Sequence, residues 1–182
     1  MKIIVGLGNP GEKYQKSRHN AGWIFLDETT SNNTWQENKK FKAAIYENGA
    51  YLFIKPLTYM NLSGESVRKI LDYYGLLPKK LGIFTKKEQD LSDILTVVHD
   101  ELDLDFGKIK IAKNSSSAGH RGVESIIKNL KTKNFTRIRI GIKNDRLRKQ
   151  IPPDKFVMQN FSKEEYEKLK NIASNYDIKN PA

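Results

Sequence analysis

"VGLGNPGEKYQKSRHNAGW", residues 5–23, decides how the whole chain is read. Gly6, Gly8 and Gly11 fall in the G-x-G-x-x-G spacing of a dinucleotide-binding turn, which leads a strand into a helix whose N-terminus faces a pyrophosphate. Such a helix packs on a sheet and needs apolar residues at helical spacing. Between residues 12 and 20 only Tyr14 qualifies, among Glu12, Lys13, Gln15, Lys16, Ser17, Arg18 and His19. The acidic residue that should end a second strand about 20 positions on is also missing, since Asp27 and Glu28 sit in a helical stretch. The glycines therefore read as serving a backbone bend.

The rest of the chain alternates strand and helix signals, the mark of an α/β domain. "KIIVGLG" is a buried first strand, and residues 20–30 form a helix burying Trp23 and Ile24. "KAAIYENGAYLFIKP", residues 42–56, is a hairpin turning at Asn48-Gly49, a dipeptide suited to a type I′ turn, and Pro56 closes it. A helix beginning near Asn61 repeats Val67, Ile70, Leu71 and Tyr74 at i, i+3, i+4 and i+7, then stops at Gly75 and Pro78. Residues 79–93 are a lysine-rich connection longer than a compact fold needs, and read as an exposed insertion.

"ILTVV" is a central strand with His99, Asp100, Glu101 and Asp103 at its end. A short strand, "KIKIA", then a polar loop lead to a helix marked by Val123, Ile126, Ile127 and Leu130. "FTRIRIGIK" alternates, with Ile138, Ile140 and Ile142 on one face and Arg137 and Arg139 on the other. A basic, proline-bearing loop precedes the last helix, which opens on a Ser162/Glu165 capping box and buries Tyr166, Leu169 and Ala173. No repeat or linker divides the 182 residues, so the expectation is one domain.

Charge narrows the partner class. Lys and Arg number 32 against 21 acids, a net charge of +11, which favours a polyanion, because neutralised phosphates release counterions. No apolar run approaches the ~18 residues of a membrane span, and the N-terminus lacks a signal-peptide pattern. The chain has no cysteine, which excludes disulfides, thiolate metal sites and a cysteine nucleophile and fits a cytoplasmic protein.

Three chemistries compete for the polar residues. Asp100, Glu101, Asp103 and Asp105 could gather around Mg²⁺, but consecutive strand residues point to opposite faces, and His19, His99 and His120 show no short ligand spacing. A serine triad lacks its G-x-S-x-G elbow, and Ser63 reads as a helix-start residue. What remains is a hydrolase in which His19 activates water directly, poised by a carboxylate, with side-chain amides holding a carbonyl. Asp100, after the most apolar strand, is the candidate carboxylate. His99 should point into packing, and His120 at a helix start is either structural or a phosphate contact.

Taken together, "VGLGNPGEKYQKSRHNAGW", "KPLTYMNLSG", "VVHDELDLDFGKIKI", "SAGHRG" and "NFTRIRIGI", with "KFVMQNFSKEE" beyond, closely resemble the bacterial-type peptidyl-tRNA hydrolase family, in the family's order. The resemblance implies a single α/β domain with a mixed, twisted central sheet surrounded by helices. It implies cleavage of the ester between a peptide and the tRNA 3′ ribose, without metal or cofactor, rescuing peptidyl-tRNA released by ribosomes; a cytoplasmic monomer is the default expectation. On this resemblance His19 is the general base and Asp100 orients it. Asn9, carried into the cleft by the glycine turn, and Asn61 hold the peptide and reacting carbonyl, while Tyr14, Tyr59, Met60 and Arg121 complete the substrate site. Lys110, Lys113, Arg137 and Arg139 are the expected tRNA phosphate contacts. Three features depart from the family: Arg121 stands where asparagine is usual, Ser116, Ser117 and Ala118 replace part of a glycine-rich stretch, and the 79–93 connection is longer. A non-catalytic RNA-binding protein on the same fold and a Mg²⁺-dependent nuclease are the alternatives.

Overall fold

A computed structural model describes residues 1–31, 34–77, 79–80, 84–85, 88–145, 147 and 151–181. The strands are β1 (Lys2–Gly6), β2 (Gln36–Asn38), β3 (Ala43–Asn48), β4 (Tyr51–Pro56), β5 (Lys79–Lys80), β6 (Phe84–Thr85), β7 (Leu95–Asp105), β8 (Ile109–Ala112) and β9 (Thr136–Lys143). The helices are α1 (Ala21–Thr29), α2 (Ser63–Tyr73), α3 (Arg121–Leu130), α4 (Pro153–Phe156) and α5 (Lys163–Ser174). Seven strands form one mixed sheet in the order β2-β3-β4-β1-β7-β9-β8, with β5 and β6 pairing separately. The middle four strands, β4, β1, β7 and β9, run parallel, and the antiparallel pairs lie at either side.

Apolar residues on both faces of the parallel strands explain the layers. Ile3, Val5, Leu95 and Val97 face a core closed by Val67, Ile70 and Leu71 of α2 and Val123, Ile126 and Leu130 of α3. Ile4, Val98 and the three isoleucines of β9 face a second core closed by Phe25 of α1 and Leu169 and Ala173 of α5. Each such side chain removed from water contributes about 1.5–3 kcal/mol before the entropy of ordering it is counted. The capping box at α5 forms in full, Ser162 accepting from the Glu165 N–H and Glu165 accepting from the Ser162 N–H.

The opening glycines answer the nucleotide question. After β1 the chain makes a short 3-10 turn (Glu12–Tyr14) where a phosphate-binding loop would start a long helix. The Leu7 N–H donates to Val98 and the Asn9 N–H to the Asn20 side chain, so these amides are spent inside the protein. Gly8 is required because a Cβ there would lie 2.6 Å from the Trp23 ring, and one at Gly6 would meet the Gly22 carbonyl at the same distance. The bend exists to press α1 onto the sheet.

Other expectations needed adjustment. In the hairpin, Asn48 pairs with Tyr51, which makes Gly49-Ala50 the two-residue turn. Only Gly49 takes a positive φ (60°), the glycine-first pattern of a II′ turn, so Asn48 ends the strand instead of turning it. Strand β7 does not end at His99 but runs on to Asp105, supported by β9 through Glu101 and, beyond an irregularity, at Asp105. The 79–93 connection lies partly outside the described residues. In its C-terminal part Leu91 fills the α2/α3 core and its N–H donates to Asn134, while Glu88, Asp90 and Asp93 are exposed. The short helix α4 was not foreseen.

Candidate active site

The site forms where parallel strands stop. β1 ends at Gly6 opposite Val98, whereas β7 continues, so the flank of β7 beyond Val98 has no strand neighbour on that side. A 3-10 turn, Arg18–Asn20, occupies this gap and brings His19 against Asp100. β1 leads to α1 on one face and β4 to α2 on the other, and the cleft opens at the carboxyl ends of these strands, where such a reversal leaves a crevice.

A cleft of about 680 Å³ is lined by Asn9, Tyr14, His19, Tyr59, Met60, Asn61, Asp100 and Arg121, the whole set of expected catalytic and substrate residues. His120 and the 117–119 loop join them, as do Glu101, Leu102 and Asp103 on the floor and Pro153, Asp154, Val157 and Met158 as a further wall. Tyr59 is 59% exposed at the rim, Asn61 is exposed, and Met60 is buried beneath them.

All three histidines of the chain converge on Asp100. His19 Nδ1 lies 2.9 Å and 3.1 Å from the two carboxylate oxygens, and His120 Nε2 lies 2.9 Å from Oδ1. His120 Nδ1 accepts the Gly122 and Val123 N–H groups at the start of α3, which fixes the proton on Nε2 and makes that nitrogen a donor to Asp100. His99 Nδ1 donates to the Asp100 backbone carbonyl at 2.7 Å, and its ring packs edge-on against His120 at 4.7 Å. With His19 Nδ1–H committed to Asp100, His19 Nε2 keeps its lone pair and has no protein partner among the described residues.

The charges follow from burial and partners. Burial pushes Asp100 up, but the two imidazoles hold its carboxyl well below the usual carboxylate range, so it stays ionised at 2% exposure. Burial pushes His19 down, yet the charge and hydrogen bond of Asp100 outweigh it and raise the imidazole above 6.5, with Arg121 pulling the other way. Burial drives His99 well below 6.5, which keeps it neutral.

The site nitrogens and oxygens of His19, Asp100 and His120 lie within 4.8 Å of one another, close enough to test as a metal site. The donor set does not suit one. His120 presents N–H and not a lone pair to Asp100, and His19 meets the same carboxylate at hydrogen-bonding distance. The neighbouring acids disperse: Glu101 pairs with Arg139 at 2.6 Å, and Asp105 pairs with Lys108 and Lys143.

Asn9 is held as a ready-made donor. Its Oδ1 accepts the Met60 N–H at 2.8 Å, and Asn20 clamps its backbone by accepting from the Asn9 N–H and donating to the Asn9 carbonyl. That geometry fixes the amide orientation and leaves the NH₂ group toward the cleft. Asn20 was not singled out in the sequence, although it adjoins His19.

The four cations expected on tRNA do not share the cleft. Arg137 is 2% exposed and donates to the Ser115 and Ser116 carbonyls, while burial and nearby Arg139 bring its pKa down to about 10. Expected as a phosphate contact, it instead has its terminal nitrogens bonded to the loop that carries His120. Arg139 is committed to the buried Glu101 carboxylate. Lys113 lies at the amino-terminal edge of the sheet with Lys2 and Lys179, opposite the cleft rather than near the catalytic loops. Lys110 alone of the four is an exposed cation on the strand face it shares with Arg139.

Comparison with known proteins shows the family. A family model described as Peptidyl-tRNA hydrolase matches residues 3–178. The peptidyl-tRNA hydrolase of Mycoplasma capricolum is 40% identical over 180 residues, covering 96% of this chain and 88% of that protein. That of Thermodesulfovibrio yellowstonii is 44% identical over 146 residues, covering 78% and 72%. The crystal structure of the peptidyl-tRNA hydrolase from Acinetobacter baumannii matches with a TM-score of 0.74 at 28% identity, covering 94% of this chain and 82% of that one.

Proposed function

Since the chain belongs to the bacterial-type peptidyl-tRNA hydrolase family and hydrolyses peptidyl-tRNA, we propose that His19 Nε2 is the base that draws the proton from the attacking water. The observation that carries this reading is the His19–Asp100 hydrogen bond, which fixes the proton on Nδ1 and leaves a lone pair on the cleft side. An ester is electrophilic enough for water plus imidazole, so no covalent intermediate is needed. As the proton arrives at Nε2, the Asp100 carboxylate stabilises the imidazolium, and His120 holds Asp100 from the other side.

The Asn9 NH₂ and the exposed Asn61 amide are placed to hold the peptide and to donate to the carbonyl oxygen as it gains charge. Tyr14, Tyr59 and Met60 shape the walls, and Arg121 at the rim offers a five-donor fork toward the RNA end of the substrate. Lys110 supplies an electrostatic contact that carries no sequence information, in keeping with a substrate class that shares a backbone and not a sequence. Recycling of tRNA in the cytoplasm by a monomeric enzyme completes the reading. Among the described residues no helix is long and apolar enough to cross a membrane.

Cleavage of a labelled peptidyl-tRNA, with and without EDTA, tests the reading against its alternatives. Peptide and intact tRNA should be released at the same rate in both conditions. Binding without release would indicate an RNA-binding protein, and EDTA-sensitive cutting of the RNA strand would indicate a nuclease.

A further inference from the structure

Arg18, next to the proposed base, is an arginine whose charge is almost wholly enclosed. It is 4% exposed, and its guanidinium carbon lies 4.6 Å from the centre of the Phe156 ring and 4.9 Å from that of Phe161. Nη2 meets Glu165 Oε2 at 2.5 Å, and Nη1 reaches the Ile142 carbonyl at 3.5 Å. Glu165 is at once the capping residue of α5 and the acceptor for Asn144, and these donors hold its carboxyl below the ordinary value against the effect of burial. A planar cation between two aromatic faces, with a carboxylate at its edge, is an arrangement that lysine cannot reproduce.

The backbone around Arg18 is docked onto the same segment. The Arg18 N–H donates to Gln159, the His19 N–H donates to Val157, and the Phe161 N–H donates to Lys16. Val157 and Met158, in turn, line the cleft opposite the α3 wall. One guanidinium thus joins the turn that carries His19, the cleft wall at 153–158 and the start of α5. His19 is pinned from one side by Asp100 and from the other by this seam.

We propose that Arg18 is a positioning residue for the hydrolytic reaction: its clamp on Phe156, Phe161 and Glu165 sets the height of His19 against Asp100 and seats the 153–158 wall at the same time. The proposal rests on the reading of His19 as the base. A merely stabilising clamp would change melting temperature alone. A positioning clamp changes the chemistry, because displacement of a catalytic group by about 1 Å costs up to ~10²-fold in rate.

Glu165→Gln is the gentler test, since it leaves Arg18 stacked between the rings while removing the charge at its edge, and Arg18→Lys is the stronger one. For each, kcat and KM for peptidyl-tRNA are measured across pH, and the His19 ring protons are titrated by NMR, which is tractable with three histidines in the chain. The expected result is a kcat loss of about tenfold for Glu165→Gln and more for Arg18→Lys, with KM within about threefold. The His19 titration should move down toward its ordinary value as its contact with Asp100 loosens. Unchanged kcat and an unchanged His19 titration in folded Glu165→Gln, with only the melting temperature lowered, would overturn the proposal, whether or not Arg18→Lys folds. Failure of the underlying reading looks different: His19→Ala itself would then retain activity.

Discussion

Replacing Asp100 by asparagine removes one charge and reverses one polarity at the centre of the site. In the native arrangement two imidazole N–H groups point at the carboxylate, His19 at 2.9 Å and 3.1 Å from its oxygens and His120 at 2.9 Å from Oδ1. An asparagine carbonyl at Oδ1 still accepts from His120, whose tautomer is locked by the α3 backbone. The same Oδ1 lies 2.9 Å from His19 Nδ1, so His19 keeps one acceptor, while the NH₂ group replaces the second carboxylate oxygen at 3.1 Å. The imidazole is therefore still held, but the negative charge that stabilises its protonated form is gone.

The expected cost of losing that charge is most of the general-base contribution, about 10²–10⁴ in kcat/KM, or about 3–5.5 kcal/mol at 1.36 kcal/mol per decade. The pH profile carries the sign. With Asp100 present the His19 pKa lies above 6.5, so activity falls as pH drops through that raised value. Without it burial is unopposed, and the residual acid limb should move below 6.5. The assay is kcat/KM for peptidyl-tRNA between pH 5.5 and 8.5, with circular dichroism to establish folding. A folded variant within tenfold of wild type, with its acid limb unmoved, would refute the reasoning.

Three further variants follow from the same geometry. Arg121→Asn should bind tRNA more weakly and with less sensitivity to salt, and its acid limb should move to higher pH, because the guanidinium lowers the His19 pKa; titration of kcat/KM at two salt concentrations checks both. Arg139→Ala should lose stability on the order of 3 kcal/mol in urea unfolding, because Glu101 would be left as a buried carboxylate without its partner, whereas Lys110→Ala should leave stability alone and lower the salt slope of tRNA binding by about one.

The sequence disclosed the site more readily than its supports. Strands and helices with clean periodicity, such as the isoleucines of β9 and the Val67–Ile70–Leu71 stripe of α2, show their elements directly, because period and burial coincide there. His19 and Asp100 stood out because they follow strand ends, where side chains emerge into a crevice, whereas Asn9, Tyr14, Tyr59, Met60, Asn61 and Arg121 were named through the family resemblance. What was hidden depends on pairings far apart in sequence. The alternation of β9 places Arg137 opposite the isoleucines but does not reveal that the 115–116 carbonyls fold over it and bury it. His120 could be read as a helix-start residue, but its bond to Asp100 requires β7 and α3 to meet. The α4 wall has no periodicity to show, since four residues make one turn and the segment after it docks on 16–19 backbone to backbone.

The most direct measurement of the central claim is the single-turnover rate of ester cleavage by His19→Ala on saturating peptidyl-tRNA, with tRNA binding measured on the same preparation. No other side chain in the cleft presents a free imidazole lone pair, since His120 Nδ1 is bonded to the start of α3 and His99 is not among the lining residues. The account predicts a rate lower by about 10²–10⁴ with binding within a few-fold of wild type. A rate within about tenfold of wild type would contradict it.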